Sequence, residues 1–222
     1  MIDYRLYLVT DNPSRYSGNW LDNVVGAVEG GVTCVQYRDT ESPRQIQYER
    51  ILRLRDALGK TPVIVNNDAE LAAAVKAEGV HVGQNDMPAE EVRKIVGPAC
   101  EIGLSITAES QIPALRSRLS DFGAQGGLVD CLGIGPVFDA RRTKADASDA
   151  LGTVELRRIM ELLRNPPFCD LRLASVAIGG ITLENAADVL ATGVGGLAVV
   201  SAFSKSSDPY SVARSFMRLF PS

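Results

Sequence analysis

The stretch TPVIVNNDAELAAAVKAEGVHVG, residues 61–83, decides the fold. It opens on a short apolar run, Val63-Ile64-Val65-Asn66, rich in β-branched residues and bounded by polar ones. That composition reads as a buried strand. Asp68 follows as a natural N-cap, and Ala69 to Glu78 carries helical spacing up to Gly79. Val80-His81-Val82 is then the next strand. A strand, a helix and another strand within this length form a βαβ unit, and parallel strands need such a crossover.

Working outward, the same grammar fills the chain. Strands are predicted at Leu6–Thr10, Val32–Arg38, Val63–Asn66, Val80–Val82, Glu101–Ser105, Cys131–Gly135, Leu173–Ile178 and Gly196–Val200. Helices fall between and after them, near residues 20–28, 43–58, 69–78, 88–96, 111–119, 154–163, 183–191 and 210–219. Ile46, Leu52, Leu54 and Leu58 read as the apolar face of the second helix. Gly31, Gly79 and Gly196 each read as a helix C-cap leading into a strand. Eight units predict an α/β chain, one (β/α)8 barrel over residues 1–222. An open doubly wound sheet is the alternative. It is disfavoured because Thr10-Asp11-Asn12-Pro13 stands after the first strand, where a G-x-G-x-x-G turn would be expected.

Composition excludes several classes. The 222 residues are 45% hydrophobic and 23% charged, unlike a disordered chain. No apolar stretch reaches the about 18 residues of a membrane span, and the first residues lack the pattern of a signal peptide. A soluble, cytoplasmic protein with no membrane partner is the expectation. The net charge of −4 and the lack of a basic block argue against nucleic acid. The four cysteines are scattered, and Cys34 and Cys131 read as small core residues. The lone histidine, His81, reads as an interior residue held by hydrogen bonds rather than a catalytic one.

In such a barrel the site lies at the C-terminal strand ends. Gln36, Arg38 and Thr40 share one face of the second strand. A guanidinium in the barrel mouth calls for an anion, or for a structural ion pair. Asn66-Asn67-Asp68 and Asp86 offer oxygen ligands on neighbouring strand ends, a set suited to Mg²⁺ shared with a phosphate. Asp68 serves equally as a helix cap. Ser105 reads either as a ligand donor or as a cap for the next helix. Arg141, Arg142, Thr143 and Lys144 suggest anion capture or a solvated basic turn. Gly179-Gly180 and Val200-Ser201 end the last two strands, the usual place for a phosphate in this fold.

Taken in order, these strand ends resemble the thiamine phosphate synthase family. The resemblance runs from Leu6 to about Asp208. It rests on Leu6 to Asp11, Gln36-Tyr37-Arg38, Val65-Asn66, Gly79 to Gln84 with Asp86, and Ile102 to Ser105. It continues through Gly133 to Phe138, Thr143-Lys144-Ala145-Asp146, Ala177 to Ile181, and Val199 to Ala202. It implies a Mg²⁺-dependent enzyme that joins hydroxymethylpyrimidine diphosphate to thiazole phosphate and releases diphosphate. By that resemblance Gln36, Arg38, Thr40, Asn66, Ser105 and Lys144 hold the pyrimidine diphosphate. Arg38, Ser105 and Lys144 carry the chemistry, and Asp86 and Asn67 hold the metal. Arg141, Arg142, Thr143, Gly180, Val200 and Ser201 take the thiazole phosphate. The implied mechanism is dissociative, with diphosphate leaving before the thiazole nitrogen attacks.

The pattern departs at three places. Thr40 replaces a lysine, Asn67 replaces an aspartate, and the loop from Asp139 to Lys144 is one residue longer. Arg141 or Arg142 is expected to supply the charge that Thr40 lacks. Three rivals stand beside this reading: a non-catalytic ligand-binding homologue, a thiazole tautomerase-like isomerase, and a sugar-phosphate isomerase using Asp11 and Asp86. The sequence leaves a homo-oligomer open.

Overall fold

The computed structural model describes residues 1–121, 127–140, 148–165, 168 and 173–221. Eight parallel strands close into a barrel in chain order. They are β1 (Leu6–Val9), β2 (Cys34–Tyr37), β3 (Val63–Asn66), β4 (Gly79–Val82), β5 (Glu101–Ile106), β6 (Cys131–Ile134), β7 (Ala174–Ile178) and β8 (Gly196–Val199). Tyr7 of β1 is in register with Cys34 of β2 on one side and Ala198 of β8 on the other, which seals the sheet. The helices are α1 (Trp20–Glu29), α2 (Arg44–Leu58), α3 (Ala69–Ala74), α4 (Ala89–Val96), α5 (Ile112–Asp121), α6 (Gly152–Arg164), α7 (Ala186–Leu190), α8 (Ser201–Ser204) and α9 (Pro209–Met217). The one-turn helix α8 was not anticipated by the sequence pattern. Among the described residues, no helix is long and apolar enough to cross a membrane.

Alternation along each strand sorts the apolar residues into two cores. Tyr7, Val9, Cys34, Ile64, Cys131, Val176 and Ala198 pack together inside the barrel. Their strand neighbours Leu6, Leu8, Val35, Val63, Val65, Leu132, Ala177, Leu197 and Val199 face the helices in the larger core. These apolar residues are buried on both faces, as a helix-covered parallel sheet requires. The inner core is made largely of small residues. Burial pushes the Cys34 and Cys131 thiols up, so both stay neutral packing groups. Glu101 closes the N-terminal end, accepting from the backbone N–H of Ile2 at 2.7 Å and from Tyr4 Oη at 3.0 Å.

Three expectations need correction. The buried face of α2 is Ile51, Leu54 and Leu58, whereas Ile46 and Leu52 are 37% and 42% exposed. The i, i+3, i+7 set lies on one stripe, and Leu52 is one step round the helix from Ile51. Helix α3 ends at Ala74 instead of Glu78. Lys76 takes φ 52°, the left-handed turn usually given to a C-cap glycine, and Ala77 N–H bonds Ala72 O at 2.9 Å. Gly79 and Gly196 are therefore not caps. They begin β4 and β8, where a Cβ would meet Glu101 O at 3.1 Å in the first case and the Tyr4 carbonyl in the second.

A polar lock fixes the turn between β2 and α2. The Asp39 side chain is fully buried and accepts from Tyr37 Oη at 3.0 Å and Arg50 Nη1 at 2.7 Å. Its other oxygen accepts from the N–H groups of Glu41 and Ser42 at 3.1 and 3.0 Å. Burial alone would raise its pKa, but these N–H groups and the hydroxyls of Ser42 and Tyr37 hold the carboxyl below its ordinary value. The folded state thus binds its proton less readily than the unfolded chain. This contribution is complete above the ordinary carboxyl pKa of about 4 and is lost as pH falls through the lower folded value. Asp39→Asn should cost about 2 kcal/mol at neutral pH, read as a lower urea midpoint. The gap between variant and natural protein should shrink as the pH is taken below about 4.

Candidate active site

The strand ends bring amides, a hydroxyl and an imidazole to the C-terminal mouth. Gln36 lies on the inner face of β2, 4% exposed, and its Nε2 donates to Tyr7 Oη at 2.7 Å. Burial pushes the Tyr7 phenol well up, so it remains an O–H that anchors the amide from below. Arg38 lies two residues on and is half-buried. Its backbone is clamped by Thr10, whose Oγ1 accepts from Arg38 N–H at 2.8 Å and donates to Arg38 O at 3.0 Å. Strand β2 has ended by then, so Thr40 sits exposed on the rim. Its N–H and Oγ1 donate to Asn12 Oδ1 at 2.8 and 3.3 Å. That bond joins the first two strand-end loops.

Asn66 ends β3 in register with His81 of β4. Asn67 follows in the left-handed region, φ 62°, exposed, with its N–H on His81 O at 2.8 Å. Asp68 is the cap of α3, accepting from Leu71 N–H at 2.7 Å, and it pairs with Arg44. Asp86 is half-buried, and its Oδ2 accepts from Gly83 N–H at 2.7 Å, so the carboxylate is held against its own loop. It also lines a cavity of about 210 Å³ between the β4–α4 loop and Arg118 of α5.

His81 points into the barrel and reaches across two strands. A Cβ at Gly103 of β5 would strike the ring, and one at Gly133 of β6 would lie 2.7 Å from Cε1. The ring fills the space that these two glycines leave. Its Nε2 is 3.1 Å from Ser105 Oγ. Ser105 therefore faces the mouth and is not a helix cap. The turn after β5 is instead tied by Gln111 Oε1, which accepts from Thr107 N–H at 2.8 Å.

On the far side, Gly179 and Gly180 adopt φ 101° and 64° beneath the β6 loop. Phe138 N–H bonds Gly179 O at 3.0 Å, and Asn185 Nδ2 bonds Gly180 O at 2.9 Å. Val200 and Ser201 are half-buried at the start of α8. Asn23 of α1 steadies that helix, donating to Phe203 O at 3.1 Å and Ser206 O at 3.2 Å. Arg141, Arg142, Thr143 and Lys144 lie outside the described residues.

Against this geometry, the family model for thiamine monophosphate synthase matches residues 6–203. The chain belongs to that family. The thiamine-phosphate synthase of Chloroflexus aurantiacus is 37% identical over 221 residues, 99% of this chain and 94% of its own length. That of Vibrio campbellii is 39% identical over 209 residues, 93% of each. Among solved structures, the thiamine phosphate pyrophosphorylase from Pyrococcus furiosus superposes with a TM-score of 0.78 at 30% identity, covering 98% of this chain and 95% of that one. A 3-hexulose-6-phosphate synthase, at 13% identity and a TM-score of 0.63, shares the fold alone.

Membership in the thiamine monophosphate synthase family makes the chain a transferase. Gln36, Asn66 and Ser105 converge on the inner face of the mouth. Thr40 and Asn67, the two departures, both lie exposed at its rim. Four residues escaped the sequence reading: Tyr7 under Gln36, Asn12 under Thr40, Asp39 and Asn23. The Asn-Pro pair at Asn12-Pro13 and the Asp-x-x-Ser turn at Asp39 were legible signals. The role of glycine at 180 also needs restating. A Cβ there would lie 2.6 Å from Phe138 Cβ, and φ is positive, so the backbone demands glycine before any ligand does. Gly180→Ala should therefore lower stability by about 1–3 kcal/mol, seen as a drop in the thermal midpoint with no ligand present.

Proposed function

We propose that the protein couples hydroxymethylpyrimidine diphosphate with thiazole phosphate, giving thiamine phosphate and diphosphate. The observation that carries this reading is near-full-length family membership over a mouth lined by amides, an imidazole and a hydroxyl, with Arg38 just past the end of β2. Such a set binds and orients charged heterocycles. In the proposed reaction the carbon–oxygen bond to diphosphate breaks first, and the thiazole nitrogen then forms a bond to that carbon. The barrier lies mainly in charge on the leaving group, so positioned donors matter more than a general base.

Gln36 and Asn66 orient the pyrimidine, with the Gln36 amide held in place by Tyr7. Arg38 and Lys144 meet the diphosphate charge, and Ser105 donates to it. Gly180, Val200 and Ser201, with Arg141, Arg142 and Thr143, take the thiazole phosphate. Among the described residues no three of His, Cys, Asp and Glu gather around one point. Mg²⁺ needs no such cluster: it commonly takes one or two carboxylates and completes its shell with water and substrate phosphates. Asp86, fixed by Gly83 N–H, would hold the ion, with the Asn67 amide oxygen beside it. When bound, Mg²⁺ neutralises charge on the departing diphosphate. Arg141 or Arg142 supplies the cation missing at Thr40.

The test is to incubate the purified protein with both substrates and Mg²⁺ and assay thiamine phosphate. Product should form, and excess chelator should abolish it. Asp86→Ala should lower the rate at least about a hundredfold, and Asn67→Asp should lower the Mg²⁺ needed for half-maximal rate. Full turnover under chelator overturns the metal assignment. Binding of both substrates without product identifies a non-catalytic homologue.

A further inference from the structure

We propose that His81 is a positioning residue for Ser105. Its Nε2 donates to Ser105 Oγ and so turns the serine hydroxyl proton toward the ligand in the mouth. The inference rests on the coupling reaction proposed above, in which Ser105 meets the pyrimidine diphosphate.

Two observations carry it. First, the ring has a built place. Gly103 and Gly133 sit mid-strand on the inner face of adjacent strands, and a Cβ at either would collide with the imidazole. Glycine weakens a strand interior unless something approaches closely, and here the approaching group is the ring itself. A ring needed only as filler would not have to end at a hydroxyl. Second, Nε2 ends 3.1 Å from Ser105 Oγ, while Gln84 Nε2 donates to the Ser105 carbonyl at 2.6 Å. The backbone of Ser105 is thus held by Gln84 and its hydroxyl by His81.

Donor counting assigns the direction. A serine hydroxyl has one proton and two lone pairs. Diphosphate oxygens only accept, so the hydroxyl must give its proton to the ligand. Its oxygen is then free to accept from beneath, and the group beneath is Nε2. The imidazole therefore carries its proton on Nε2. A donor that is itself accepting is polarised and binds an anion more strongly.

The test uses the untagged protein, in which His81 is the single histidine. His81→Phe keeps a ring over the two glycines and removes the hydrogen bond. It should lower kcat/KM for the pyrimidine diphosphate about tenfold. The KM for thiazole phosphate and the melting temperature should hardly move. His81→Gln, with an amide that reaches toward the place of Nε2, should restore most of the loss. Added to Ser105→Ala, His81→Phe should have no further effect. Equal losses in both backgrounds, or full activity in His81→Phe, would overturn the proposal.

A second measurement works without turnover. The ring gives one set of signals in a long-range ¹H–¹⁵N spectrum, expected to show the proton on Nε2, and Ser105→Ala should shift them. An unmoved Nε2 signal, or a proton found on Nδ1, overturns the inference. If instead the natural protein makes no thiamine phosphate, the coupling reaction fails while the His81–Ser105 contact is still read independently.

Discussion

Closure of the parallel sheet is the constraint from which the rest follows. Once β1 pairs with both β2 and β8, no edge remains, and each strand must send alternate side chains inward. The outward set is covered by helices and can be large and branched. The inward set must fit within a narrow cylinder, and it holds Cys34, Cys131 and Ala198 beside the ring of Tyr7. Register also stacks the interior in layers. Glu101 shuts one end with backbone and phenol donors, and the polar layer begins at Gln36, Asn66 and His81.

Three groups of the polar mouth are held from below or from the side. Gln36 rests on Tyr7, the Arg38 backbone on Thr10, and Ser105 on His81 and Gln84. The groups nearest the mouth are thus presented by strands and strand ends that their neighbours hold in place. Such an arrangement suits the proposed coupling, in which positioned donors matter more than a general base. The exposed Thr40 and Asn67 belong to the rim, where change of residue type disturbs the barrel least.

The barrel was legible because periodicity reports burial, and burial in a closed parallel sheet follows a fixed alternation. Element ends were less legible. The end of α3 depends on Lys76 adopting a conformation that pattern alone assigns to glycine. The face of α2 depends on which leucines meet the sheet, and Leu52 and Leu54 look alike in sequence. In the site, residues at strand ends were found by parity. Those that support them were not, because Tyr7 and Asn12 act across strands and loops, and such pairing is a product of register. The contact between His81 and Ser105 is of the same kind, its partners lying 24 positions apart in sequence.

The imidazole lying over Gly103 and Gly133 has an evolutionary consequence. Three positions on three strands share one volume, so none can drift alone. A side chain at either glycine displaces the ring, and a small residue at position 81 leaves a hole above two bare backbones. Any lineage that abandons the histidine must refill the floor from the neighbouring strands at the same time. The three sites should therefore be inherited as a block, and a homologue with bulk at 103 or 133 should have lost the ring.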